Sequence, residues 1–223
     1  MHEDGLPLLV IGNKNYSSWS LRPWLLLRQF GVPFRELKLP LDTPEFEARI
    51  GDYAPNRRVP ALHDGATRLW DSLAICEYAN ERWLDGRGWP ADRATRALAR
   101  SISAEMHSGF TALRNEMPFN CRSRRRVALS HDATRDVARA QALWADCRAR
   151  FGAGGPWLFG EFSPADAMFA PVALRFVTYG VPLDATARAY VDAVAAHPAV
   201  VEWIAAGRTE REVIPGSEVG VEV

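Results

Sequence analysis

Apolar positions along this chain change period once, and that change divides it. Leu8-Leu9-Val10-Ile11 is a short unbroken apolar run closed by Gly12, the pattern of a buried strand. From Leu21 to Phe30 the period becomes helical, with Arg22-Pro23 near its start and Gly31-Val32-Pro33 as its stop. Phe34 to Leu39 reads as a second strand ending at Pro40. A loop or short helix then leads to Val59-Pro60-Ala61-Leu62, where His63-Asp64-Gly65 reads as a tight turn between two short strands. Asp71 or Ser72 caps a further helix whose inner face carries Leu73, Cys76, Ala79 and Trp83. The order is strand–helix–strand, hairpin, helix.

Residues 85–95, Asp-Gly-Arg-Gly-Trp-Pro-Ala-Asp-Arg-Ala-Thr, read as a linker. Beyond it the pattern is helical throughout. Leu98, Ile102, Met106, Phe110, Leu113 and Met117 form one continuous stripe, and Val137, Ala140, Trp144, Cys147 and Phe151 form another, as an antiparallel pair of long helices would. Ser163-Pro164-Ala165-Asp166 opens a segment, Ala167 to Val177, that is apolar on all sides and belongs inside a bundle. Asp184 to Ala196 and Ala199 to Ala206 complete it. After Arg211 no pattern is readable.

The 223 residues, 48% hydrophobic and 24% charged, provide for a substantial core, and the formal charge of +0 supplies no general attraction to nucleic acid or anionic membrane. Met1-His2-Glu3-Asp4-Gly5 reads as no signal peptide, and no segment is long and apolar enough to span a bilayer. Cys76, Cys121 and Cys147 are odd in number and show no CxxC spacing. They fit reduced thiols in a cytoplasm better than disulfides or a metal site.

Four motifs carry the chemistry: "YSSWSLRPW", "RRVPALHDG", "WDSLAICEYANERW" and "FSPADAMFAP". In this order and spacing they resemble the glutathione transferase superfamily, and the resemblance covers nearly the whole chain. It implies an α/β thioredoxin-like domain over 1–84, the linker 85–95, and an all-helical domain over 96–223 carrying a second-substrate pocket. It also implies reduced glutathione as co-substrate with no metal, and a cytoplasmic homodimer without nucleic-acid or membrane partners.

"SSWSLR" is similar to the "SSCSWR"-like pattern of serine-type, above all zeta-class, members. The resemblance gives Ser17 the catalytic role, a hydroxyl donating to the glutathione sulfur, with Ser18 in support. The positive end of the following helix helps, and Ser20 is left as its cap. Tyr16 is the rival donor. Val59-Pro60 resembles the family's cis-proline, with Val59 offering backbone groups to the cysteinyl part. Asp71-Ser72 resembles the pair that takes the γ-glutamyl ammonium and carboxylate at a helix N-terminus. Arg58 is a candidate for the glycine carboxylate.

Trp19, His107, Phe110 and Arg114 are placed in the second-substrate pocket. Arg122, Arg124, Arg125 and Arg126 are either a rim that attracts an anionic substrate or a solvated loop or dimer contact. The activity implied is thiolate attack on an electrophilic carbon or reversible addition that isomerises a double bond, as in maleylacetoacetate isomerase. A protein-interaction module of the same fold and a glutathione-dependent peroxidase or reductase are the alternatives.

Overall fold

The computed structural model describes residues 5–223; the first four residues, and the signal-peptide reading that falls on them, lie outside the described residues. The first unit is a four-stranded mixed sheet in the order β2-β1-β3-β4. Strand β1 (Leu8–Ile11) pairs in parallel with β2 (Arg35–Lys38) and antiparallel with β3 (Ala61–Asp64), which pairs with β4 (Thr67–Trp70). The hairpin register sets Asp64 against Thr67, so the turn is Gly65-Ala66 rather than His63-Asp64-Gly65. Gly65 takes φ +55, a conformation that suits glycine in a two-residue loop.

Alternation along β1 serves two layers. Leu9 and Ile11 pack with Leu62 beneath helices α1 (Ser18–Gln29) and α3 (Ser72–Leu84), while Val10 joins Phe46 and Ile50 on the face of the short helix α2 (Pro44–Arg49). A sheet covered on both faces explains the continuous apolar run. In α3 the buried face is Ile75, Cys76 and Ala79; Leu73 and Trp83 are only partly buried.

The helical unit comprises α4 (Arg93–Ser108), α5 (Thr111–Glu116), α6 (His131–Phe151), α7 (Pro164–Tyr179), α8 (Ala185–Ala196) and α9 (Pro198–Thr209). The Leu98–Met117 stripe is broken into α4 and α5: Gly109 closes α4 on Glu105 O, and Phe110 turns with φ 54. The stripe still faces inward because the bend preserves its side of the chain. Residues after the linker are not wholly helical either, since β5 (Arg125–Arg126) pairs with β6 (Val221–Glu222). Among the described residues no helix is long and apolar enough to cross a membrane.

Helix α7 is the axis of the bundle, buried along nearly its whole length and packed on α1, α4 and α8. Its start is fixed by Asp166, whose carboxylate accepts from the N–H groups of Leu158 at 3.0 Å and Ser163 at 2.9 Å. Burial pushes this carboxyl up to about 6, against the hydrogen bonds that lower it. Asp166→Ala, which orphans these two buried N–H groups and the Ser163 hydroxyl, is expected to cost about 2–4 kcal/mol in denaturant unfolding. Because the folded-state value is raised, the native protein binds the proton more tightly than the unfolded chain. Wild type should therefore gain stability relative to Asp166→Asn as pH falls from about 6 toward 4.

Candidate functional site

The loop from Gly12 to Ser17 delivers the chain from β1 into α1. Ser17, not Ser20, is the N-cap: its Oγ accepts from Ser20 N–H at 3.4 Å and shares a 2.7 Å bond with Ser20 Oγ. Ser20 Oγ in turn accepts from Gly12 N–H at 3.2 Å. The helix thus begins three residues earlier than the apolar pattern indicates, and Pro23 lies a full turn inside it. Ser17 and Ser18 are each only 5% exposed. Tyr16 turns away from this helix start, donating to Glu218 Oε1 at 2.6 Å and accepting from Arg122 Nη2 at 2.8 Å.

On the facing side, Val59-Pro60 is a cis peptide immediately before β3. Asp71 adopts φ 77 and caps α3 with Oδ1, which accepts from Leu73 N–H at 2.9 Å and Ala74 N–H at 3.1 Å. Its Oδ2 is 2.5 Å from His107 Nε2 of α4, so the two units meet at this pair. The Ser72 hydroxyl is buried at the first turn of α3 and has no hydrogen-bond partner.

These groups surround a cavity of about 240 Å³. Its lining takes Arg58, Val59, Pro60, Asp71 and Ser72 from the sheet unit, with Trp19 of α1, and His107 and Arg114 from the helical unit; Asn56 joins them. Eight of the residues singled out in the sequence are therefore brought together. Ser17 and Ser18 lie at the start of α1 outside this lining. Phe110 does not belong to it: the bend after Gly109 turns its ring into the core, 6.3 Å from that of Phe169.

Behind Trp19 stand two arginines for which the motifs gave no role. Arg22, fully buried, lies 4.0 Å over the Trp19 ring and donates to Ser18 O and Met168 O. Arg175 of α7 donates to Ser18 Oγ at 3.3 Å and to Met117 O at 2.7 Å. Burial lowers both guanidinium groups, Arg175 to about 9, which leaves it charged at neutral pH. The i to i+4 spacing of Ser18 and Arg22 was available in the sequence; the approach of Arg175, 157 residues from Ser18, was not.

The arginine-rich loop does not rim the cavity. Arg122 donates to Glu210 O and Glu212 O, and Arg125 pairs with Glu218. The chain after Arg211 thus folds back over the loop that carries Tyr16, and Glu210 accepts from the N–H groups of Lys14 and Asn15. All three cysteines are free and buried, with their thiols pushed up by burial, Cys147 to about 11 and Cys121 to about 12. Arginines beside Cys121 do not offset that cost. Among the described residues no cluster of three or more histidine, cysteine, aspartate or glutamate side chains is placed to hold a metal ion.

The family model "Glutathione S-transferase, N-terminal domain" matches residues 16–82. The maleylacetoacetate isomerase of Rattus norvegicus is 31% identical over 112 residues, covering 50% of this chain and 52% of the relative. The chain thus spans about half the length of the curated relatives it matches in this way. A dichloromethane dehalogenase from Methylorubrum extorquens is 35% identical over 74 residues, covering 32% of this chain and 25% of that protein. A Burkholderia glutathione transferase homologue, solved with bound glutathione, superposes with a TM-score of 0.69 at 25% identity, covering 91% of this chain and 97% of its own. The Tau class transferase of mango, at TM-score 0.70 and 19% identity, covers 89% of this chain and 92% of its own and shares the fold.

Ser17→Ala should cost about 1 kcal/mol in the denaturant midpoint, the usual worth of a helix cap. The three thiols should react with an alkylating reagent at pH 8 only after unfolding.

Proposed function

We propose that this chain, which belongs to the glutathione transferase superfamily, binds reduced glutathione in the cavity between its sheet and its helical bundle and activates the thiol there. The observation that carries the reading is the Ser72 hydroxyl. It is buried, without a partner, at the N-terminus of a 13-residue helix and faces a cavity beside cis Val59-Pro60. Within the protein no group answers this hydroxyl, so an acceptor on a bound ligand is the partner the site lacks, a bond worth roughly 1.5–3 kcal/mol when the acceptor is charged. A carboxylate at that helix end satisfies the hydroxyl and meets the positive end of the helix, whose Leu73 and Ala74 N–H groups Asp71 already caps.

On this reading the γ-glutamyl carboxylate lies on Ser72, and the cysteinyl backbone pairs with Val59. Arg58, exposed at the cavity edge, takes the glycine carboxylate. The ligand's ammonium group shares Asp71 Oδ2 with His107, because Asp71 Oδ1 is committed to the α3 cap. The thiol points to the start of α1, where the Ser17–Ser18 pair supplies a hydroxyl and the helix end supplies positive potential. A hydrogen bond to a charged group is worth about 1.5–3 kcal/mol, or one to two units of thiol pKa.

The thiolate then attacks an electrophilic carbon, or adds reversibly to a conjugated double bond, rotates and departs. The second course is the isomerase chemistry, and the similarity to maleylacetoacetate isomerases over half the chain supports it. Trp19, His107 and Arg114 form the wall that the second substrate meets. A cysteine-based peroxidase or reductase is disfavoured by three buried thiols held in the protonated form. The reading carries with it the serine type, a cytoplasmic setting and a homodimer.

Calorimetric titration with reduced glutathione tests it, on wild type and Ser72→Ala. The substitution should weaken binding at least about tenfold while leaving the free protein equally or more stable to heat, since it removes an unpaired buried group. Absence of binding to wild type at millimolar ligand would remove the enzyme reading.

A further inference from the structure

Charge buried without counter-charge is the feature of this protein that the preceding reading leaves unexplained. Arg22 and Arg175 sit inside the contact of α1 with α7, at 0% and 4% exposure, and each is bonded only to neutral groups. Arg114 also lies over the Trp19 ring, 5.3 Å from its centre, and lines the cavity. None of the three forms an ion pair among the described residues. They also disfavour one another, since Arg175 and Arg114 both lower Arg22. Burying a guanidinium among neutral partners is costly, and a guanidinium keeps its proton rather than escape that cost.

We propose that these three cations are the electrostatic source that holds the bound glutathione sulfur as thiolate, and that Ser18 rather than Ser17 is the hydroxyl that donates to it. The inference rests on the glutathione reading. Ser17 Oγ is tied up twice with Ser20, as cap and as hydroxyl partner. Ser18 Oγ only accepts, from Arg175 Nη2, so its own proton is free for an acceptor. A hydroxyl whose oxygen accepts from a cation is a stronger donor. Arg175 is thus a positioning residue that acts through Ser18, and the thiol proton leaves to solvent with no further reagent.

The carboxylates around this end of α1 act only from a distance: Asp71 favours the charged Arg22 and Asp136 the charged Arg114, each by less than burial disfavours them, and neither forms an ion pair with them. Asp71 of α3 is held by His107 of α4, and Asp136 of α6 accepts from Leu113 N–H behind Arg114. Burial holds the Cys76 thiol of α3 and the Tyr179 phenol of α7 in their neutral forms. Arg58 adds a fourth cation at the cavity edge, and Tyr16 faces Glu218 and Arg122 instead.

The test follows the thiolate absorbance of bound reduced glutathione against pH in wild type, Arg175→Met, Arg175→Lys and Ser18→Ala. Calorimetry with S-methylglutathione, which has no thiol to ionise, reports separately on the binding site. The thiol pKa in the wild-type complex should rise by about one unit in Arg175→Met and in Ser18→Ala, with partial rescue in Arg175→Lys. Affinity for S-methylglutathione should not change. An unchanged thiol pKa in both variants, or a parallel loss of S-methylglutathione affinity, overturns the inference while the glutathione reading stands. If Arg175→Met does not fold, Ser18→Ala, a small change at a buried helix start, decides the matter. A wild type that binds neither ligand refutes both readings at once.

Discussion

Helices α1 and α7 exchange arginines. Arg22 reaches from α1 to the Met168 carbonyl of α7, and Arg175 reaches from α7 to the Ser18 hydroxyl of α1. These reciprocal bonds cross the junction between the sheet and the bundle, so they fix where the start of α1 lies relative to every helix behind it. Removing either partner would leave a buried cation or acceptor unsatisfied, which is far more costly than the bond itself is worth. The position of the serine loop, the contact of Trp19 with two guanidinium groups and the outlook of the cavity all follow from this constraint.

A second tie works from the far end of the chain. Glu210 and Glu218 hold the Lys14–Tyr16 loop and the 122–126 loop together, so the approach to α1 is clamped on the side away from the cavity. The Asp71–His107 pair closes the remaining side, joining α3 to α4 across the mouth. What these ties leave on one cavity wall is a small set of polar groups, the Ser72 hydroxyl and the Val59 backbone, with the start of α1 beside it. Rigid supports with unsatisfied groups between them are what a preorganised binding site requires.

Much of this was legible in residue order because it depends on local chemistry. The apolar run of β1, the proline before β3, a cap at Asp71 or Ser72 and the largely apolar α7 each announce their structure within a few residues. Superfamily resemblance then linked Val59-Pro60 to Asp71-Ser72, and all four residues line one cavity. Local rules failed where two assignments were equally good. Ser17 and Ser20 are both competent caps, and the bond from Ser20 N–H to Ser17 Oγ is what decides for Ser17. Periodicity carried the Leu98–Met117 stripe straight through Gly109, because a bend that keeps the apolar side inward leaves the spacing intact. Long-range polar contacts gave no signal at all. Nothing in "FNCRSRRR" points to a glutamate 93 residues later, and nothing in the α7 pattern marks Arg175 as the partner of Ser18.

The account stands on the claim that one cavity, built by both units, holds glutathione with its sulfur at the start of α1. A crystal structure of the complex with reduced glutathione is the most direct measurement. It is predicted to show the γ-glutamyl carboxylate on the Ser72 hydroxyl and the α3 N-terminus, with the sulfur within hydrogen-bonding distance of Ser18 Oγ. Glutathione bound elsewhere, or with its sulfur directed to Tyr16 or to a cysteine, would contradict it.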